Sequence, residues 1–322
     1  MNPSRARSEI LPLPEEYRSI STIKHLLATR DYQEVINFSF VEQSWEADFC
    51  NNLTPIKISN PIASQMSMMR SSLIGGLIAN LKQNINHKLE RIRIYEVGRC
   101  FHKNRPSGIS SSDSEPFFQP LMVGGLCYGS AFDEQWGAPA RLVDFYDVKA
   151  DIEALSAPTS FHFQEASHPA LHPGKSAAIF NHTTLIGYLG ELHPKWQQKY
   201  DLPQPVILFE LALEGLVKIL LPRYKEISKF PPVVRDLAII VDRAITNQKL
   251  VDGLTANCSG LVTEIRLFDV YQGEGVAVDK KSLAFRIVMQ DTQRTLTDEV
   301  VEAERQKIIQ YLESNFGAKL RI

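Results

Sequence analysis

The sequence predicts an α+β fold in two parts, a large domain on a mainly antiparallel sheet and then a smaller βαββαβ domain. Three observations predict it. With 322 residues the chain exceeds one ordinary hydrophobic core. Between Asn60 and Phe101 a helix with a broad apolar stripe feeds straight into a strand, and such a helix needs a sheet to lie on. Beyond Pro231 and Pro232 six elements follow in the order strand, helix, strand, strand, helix, strand.

Residues 1–19 carry Pro3, Pro12 and Pro14 and read as an extended lead-in. Ile20, Ile23, Leu26 and Leu27 fit a short helix over 19–29, and Val35, Ile36, Phe38 and Phe40 fit a strand over 34–40. Ser44 offers an N-cap to a helix carrying Trp45 and Phe49. In the central helix, 71–86, Leu73, Leu77, Leu81 and Ile85 recur every fourth position with Ile74 and Ile78 alongside. Met66, Met68 and Met69 ahead of it suit either an adaptable partner contact or this domain's own core. The following strand, 92–101, holds Glu96 mid-strand, where a lone carboxylate is costly, so a hydrogen-bonded partner or a ligand is expected. A Ser- and Gly-rich loop over 103–119 leads to a strand at 121–128. A helix over 150–155 follows. Strands at 176–180 and 183–189 are joined by a tight turn at Asn181 and His182, and a further strand runs over 206–213.

The domain boundary falls in 222–232, giving domains 1–228 and 229–322. In the second, strands at 237–241, 262–271, 282–289 and 318–321 alternate with helices at 246–257 and 297–316 in the ferredoxin-like order, with both helices on one face of a four-stranded sheet. Thr297 is placed to cap the last helix, Asp298 and Glu299 suit its positive first turn, Leu296 can staple onto Val301, and Gly317 ends it.

Composition narrows the function. Hydrophobic residues make up 44% and charged residues 22%, as in soluble globular proteins. The 35 basic and 37 acidic residues give a net charge of -2, and 229–322 holds 13 of each, so RNA binding must rest on local geometry rather than bulk charge. Four widely spaced cysteines, with no C-x-x-C pair, argue against a zinc site or a disulfide framework and fit the reduced thiols of a cytoplasmic protein. No apolar run is long enough to span a bilayer.

Alternation along the small domain's strands separates a helix-covered face from an open one. Leu283, Phe285, Ile287 and Met289 belong to the covered face, leaving Ser282, Ala284, Arg286 and Val288 on the open one. In 267–271 the same logic puts Asp269 and Tyr271 on the open side and Phe268 and Val270 opposite. Arg266 does not fit that alternation unless a bulge intervenes. Tyr271 can stack on a base and Asp269 can accept from its amino or imino group. The plain alternative is an edge tyrosine and a strand-end aspartate before the turn Gln272-Gly273-Glu274-Gly275. His168, His172 and His193, beside prolines and without carboxylates at ligand spacing, read as loop anchors. Gly187 to Glu191 is no phosphate loop, and no Gly-x-Ser-x-Gly elbow exists.

Several segments, taken in order, resemble the C-terminal part of the beta subunit of bacterial phenylalanyl-tRNA synthetases. They include Tyr32 to Ile36, Asn60-Pro61, Met69 to Leu77, Tyr95 to Arg99, Asp147 to Lys149, His168 to Gly174 and Gly187 to Pro194. Lys229 to Pro231, Arg235 to Leu237, Leu267 to Tyr271 and Lys281 to Phe285 complete the set, which spans nearly the whole chain. The resemblance implies a class II synthetase-like domain without catalysis, then a ferredoxin-like anticodon-binding domain. It implies a separate catalytic alpha subunit in an α2β2 assembly and tRNA(Phe) as the RNA partner. ATP and magnesium would be used by the whole enzyme, with no cofactor in this chain. The family's beta subunit starts with tRNA-binding, editing and DNA-binding-like domains, none visible ahead of Met1, so the chain is expected to be a fragment to which editing and a magnesium site do not transfer. By the same resemblance Asp269 and Tyr271 hold the first anticodon base, with Ser282 and Arg235 beside them; Arg286 joins the candidate contacts through the strand alternation alone. Val234 stands where the family often has a second basic residue.

The sequence agrees with lost catalysis. A class II site needs arginines that clamp the α- and γ-phosphates, yet the Glu96 strand has no matching Arg-x-Glu arrangement and 187–194 contains no Arg. The alternatives are a free-standing RNA-binding or scaffold protein without an alpha partner, or an ATP-dependent ligase in its own right.

Overall fold

The computed structural model describes residues 15–103, 117–219 and 226–321, with Leu221 and Tyr224. The expected proline-rich start and nearly all of the 103–119 loop lie outside these residues. The chain separates into two compact units, divided between 222 and 223.

The large unit contains α1 (Ile20–Ala28), β1 (Gln33–Glu34), β2 (Phe40–Val41), α2 (Gln43–Cys50), β3 (Met68–Met69), α3 (Ile74–Asn86), β4 (Ile92–Arg99) and β5 (Leu121–Tyr128). It continues through α4 (Phe145–Ser156), β6 (His162–Glu165), β7 (Leu171–Asn181), β8 (Thr184–Leu192), α5 (Pro194–Lys199), β9 (Val206–Ala212) and α6 (Glu214–Val217). Its sheet has seven strands in the order β1-β4-β5-β9-β8-β7-β6. All pairs are antiparallel except β1 with β4.

Side chains alternate cleanly across this sheet. Ile92, Ile94, Leu126, Leu208 and Leu192 pack beneath Leu77, Ile78 and Leu81 of α3. Tyr95, Val123, Cys127 and Phe209 face the other way, under Ile23 and Leu27 of α1 and Val148, Ile152 and Leu155 of α4. Helix α4 starts on a capping box, with Asp144 accepting from the Tyr146 and Asp147 amides and Asp147 accepting from the Asp144 amide. Gly124 lets α3 approach, because a Cβ there would stand 3.2 Å from Leu73.

Three expectations fail locally in the large unit. The strand expected over 34–40 is only β1 and the start of β2, and between them Ile36 and Phe38 are 91% and 69% exposed. Their apolar alternation reflects an outward-facing segment rather than a buried strand. Helix α2 begins after Glu42, not Ser44, and α3 after Leu73, so Ser71 and Ser72 stand just ahead of it. Strand β6 and the short helices α5 and α6 carried no periodicity long enough to read.

The small unit contains β10 (Val233–Asp242), α7 (Asn247–Asn257), β11 (Val262–Tyr271), β12 (Lys280–Met289), α8 (Asp298–Phe316) and β13 (Lys319–Leu320). Its sheet order is β11-β12-β10-β13, antiparallel throughout. One face is closed by α7 and α8 through Leu237, Ile239, Leu250, Leu254, Phe285, Ile287, Ile308 and Leu312. Gly317 ends α8 in the left-handed region at φ 59°, as its position suggested. Thr297 occupies the N-cap position of α8, but its side chain makes no capping bond. No helix among the described residues is long and apolar enough to cross a membrane.

Candidate nucleic-acid interface

The open face of the small unit follows from strand register, because cross-strand partners point the same way. Asp236 pairs with Arg286, Ala238 with Ala284 and Ile240 with Ser282 between β10 and β12. Arg266 pairs with Arg286, Asp269 with Ala284 and Tyr271 with Ser282 between β11 and β12. Asp269, Tyr271, Ser282 and Arg286 are therefore brought together on one face, opposite the helices.

The register slips between Leu267 and Asp269, which is the irregularity that Arg266 demanded. This bulge corrects one expectation. Strict alternation places Phe268 on the covered side, yet it is half exposed and the Arg286 guanidinium lies 5.2 Å from its ring centre. With an extra residue in the strand, Phe268 and Asp269 both turn to the open side.

Arg235 is the second correction. It pairs with Ile287, a core residue, and so belongs to the helix-covered side; its Nη2 donates to Asp298 at the start of α8 at 3.1 Å. A one-residue step along a strand reverses the face. Arg235 is thus not beside Tyr271.

Each remaining group has a defined setting. Arg286 donates from Nε and Nη2 to the two Asp236 oxygens, both at 2.8 Å, and this fork holds the Asp236 carboxyl below the usual carboxylate range. Asp269 is exposed and has no hydrogen-bond or ion-pair partner among the described residues. The Tyr271 hydroxyl donates to the Glu274 carbonyl at 3.1 Å, which fixes the ring. Arg321 lies 4.7 Å over that ring and donates from Nη1 to the Ser282 hydroxyl at 3.2 Å, so Ser282 is only 3% exposed. Sequence reasoning missed Arg321 and Phe268. The bulge that turns Phe268 was legible only as the misfit at Arg266, and Arg321, beyond the short β13, follows no pattern.

This face presents aromatic rings with stacked guanidiniums, an Asp269 carboxylate without a partner among the described residues, and mixed charge, with Arg266, Lys280, Arg286, Lys319 and Arg321 against Asp236, Asp242, Glu264 and Asp269. Such a surface can stack a base and read one edge of it, with little general pull on phosphates.

Comparison with known proteins agrees with this architecture. Residues 3–213 match the family model described as the phenylalanyl tRNA synthetase beta chain CLM domain, and residues 228–321 match the ferredoxin-fold anticodon binding domain. The chain belongs to the phenylalanyl-tRNA synthetase beta chain family. Within that family, the phenylalanine-tRNA ligase beta subunit of Nitrosospira multiformis is 50% identical over 317 residues, covering 98% of this chain and 39% of the relative. That of Dechloromonas aromatica is 52% identical over 314 residues, covering 96% and 39%. The chain thus spans about two fifths of the length of these curated beta chains. Among solved structures, a pyrrolysyl tRNA synthetase of Desulfitobacterium hafniense gives a TM-score of 0.41 at 14% identity, over 62% of this chain and 65% of that one, a likeness too slight to bear on the fold.

His168, His172 and His193 of the large unit behave as loop anchors. Nδ1 of His168, His172 and His193 accepts from the backbone amides of Ala170, Gly174 and Lys195. Among the described residues no three His, Cys, Asp or Glu side chains could hold a metal ion.

Proposed function

We propose that this chain acts within a phenylalanine-tRNA ligase, its small unit binding the anticodon stem-loop of tRNA(Phe) and its large unit supporting a separate catalytic alpha subunit in an α2β2 assembly. One observation carries the RNA reading: the unpaired Asp269 carboxylate beside the fixed Tyr271 ring on the open sheet face. A base stacking on Tyr271 uses the ring face opposite Arg321 or takes the guanidinium's place, and its amino or imino group then meets Asp269. Ser282 is reached only through displacement of Arg321, and Arg286 contributes its stacked guanidinium with Phe268.

The large unit's sheet does not suit ATP. The face under α3 carries Glu96 and Glu210 in register on either side of Gly124, with Glu46 nearby, and the buried Arg70 is already bonded to Glu96 at 2.7 Å. Carboxyl groups at the centre of the sheet, with their arginine engaged, offer a polyphosphate no counter-charge. Aminoacylation, with its ATP and magnesium, is assigned to the alpha subunit.

In the whole ligase, Tyr271→Ala is expected to weaken tRNA(Phe) binding by about 1–3 kcal/mol, the worth of one base stacked on an aromatic ring. Asp269→Asn should relax discrimination at one anticodon base and leave general affinity nearly intact. Filter binding with anticodon variants checks both, and unaltered affinity and preference in both proteins would show that this face does not read RNA. Because 229–322 holds as many acidic as basic residues, the small unit's share of binding should depend only weakly on salt. Co-purification of the chain with the alpha subunit tests the assembly; its absence favours a free-standing RNA-binding protein.

A further inference from the structure

Glu210 lies at the centre of the large unit's sheet, in the strand fourth from either edge. Its Oε1 accepts from the Leu73 amide at 2.6 Å and from the Ser72 hydroxyl at 3.1 Å. Its Oε2 has no hydrogen-bond partner among the described residues. The side chain forms part of the wall of a cavity of about 610 Å3, which also includes Ile56, Phe101, Phe118, Met122 and Tyr188. That volume is ordinary for a small-molecule site, and the lining is mixed, with these apolar and aromatic walls facing polar groups such as Asn52, Thr54, Ser72 and Glu210. Tyr188 is the cross-strand partner of Glu210, so its ring stands beside the carboxylate on the same face.

Charge selects the ligand. Of the titratable groups in the lining, burial drives His168 down to about 4 and lowers His102, so both are neutral near pH 7. Cys50 is half-buried, and desolvation pushes its thiol upward, so it stays protonated. This leaves Glu210 and the exposed Lys103. Behind the lining, Arg70 is paired with Glu96, and Glu46 accepts from the Ser71 amide and hydroxyl. Acidic groups thus outnumber basic ones around the cavity. Burial pushes the Glu210 carboxyl up to about 7, opposed by the Leu73 amide, the Ser72 hydroxyl and Arg70, and reinforced by Glu46. An incoming cation would restore its charge.

We infer that this cavity binds an organic ammonium ion with an aromatic or apolar body, the ammonium donating to Glu210 Oε2 beside the Tyr188 ring and the body lying against the apolar walls. The hydrogen bond is charge-assisted, and the ring adds a cation–π contact. An anionic or neutral isostere lacks both. The site is independent of the RNA reading.

Benzylamine is the probe, with benzyl alcohol and benzoate as isosteres, titrated calorimetrically into the 322-residue chain and into its complex with the alpha subunit. Benzylamine should bind at least tenfold more tightly than benzyl alcohol, and benzoate should not bind. Affinity should rise about tenfold from pH 6 to pH 8, as Glu210 passes from about a tenth to about nine tenths ionised while benzylamine stays protonated. Glu210→Gln keeps an acceptor for the Leu73 amide, and should lose the pH dependence and at least tenfold in affinity. Ile56→Trp, which fills the cavity and leaves Glu210 in place, should abolish binding. Equal binding of amine and alcohol, a flat pH profile in the unaltered chain, or no heat at millimolar benzylamine would each overturn the inference. The ligand series and pH profile decide it even if a variant fails to fold.

Discussion

Arg70→Ala is expected to lower the stability of the large unit by about 3–5 kcal/mol, the usual result of leaving a buried charge without its partner. Arg70 and Glu96 are 4% and 2% exposed. Nη1 of Arg70 donates to Glu96 at 2.7 Å and Nε donates to the Arg99 carbonyl at 3.0 Å, while Asn37 Nδ2 donates to the other Glu96 oxygen at 2.7 Å. Gly98 makes room, since a Cβ there would stand 2.1 Å from the Arg70 Nη2. The alanine variant leaves a carboxylate against α3 with Asn37 as its remaining support. Replacing both partners, as Arg70→Met with Glu96→Leu, should cost far less, because the desolvated charge disappears with its counter-ion. Urea unfolding followed by tryptophan fluorescence reads this unit directly, since Trp45, Trp136 and Trp196 all lie in it. A single-variant loss below about 1 kcal/mol, as for an exposed pair, would mean the pair is hydrated.

Phe285→Ala should be equally severe in the small unit, at about 3–5 kcal/mol for a buried aromatic. Phe285 is 0% exposed and stands opposite Leu237 on one side and Leu267 on the other. Against a domain stability of about 5–15 kcal/mol, that loss populates the unfolded unit measurably. Amide exchange in β10 to β12 should accelerate, and tRNA affinity should fall in proportion, although Phe285 points away from the open face. Unchanged exchange would show that the core refills the space.

Much of this was legible in the sequence where pattern and packing coincide. The stripe of α3 lies on the sheet, and the order of the small unit's elements came through because each strand is bounded by turns and each helix keeps its period. Glu96 was expected to need a partner, and it has Arg70 and Asn37. The rest depended on geometry that periodicity does not encode. Ile36 and Phe38 alternate like a strand yet face outward. Arg235 is separated from Asp236 by one position and hence by the thickness of the sheet. Arg321 reaches Tyr271 only because β13 pairs with β10 beside β12, a long-range register that no local signal announces.

The strand order of the large sheet also bears on how the chain is made. β5 pairs on one side with β4, just behind it, but its other partner is β9. During synthesis the free edge of Leu121–Tyr128, a run rich in apolar residues, waits for roughly eighty further residues, about 4 to 16 seconds at ordinary elongation rates. Strands β6 to β8 can form a meander of their own in that interval, yet β9 must emerge before the two halves are joined. A nascent chain halted between 130 and 205 would therefore present an unpaired apolar strand, the state in which edge-to-edge association between chains begins.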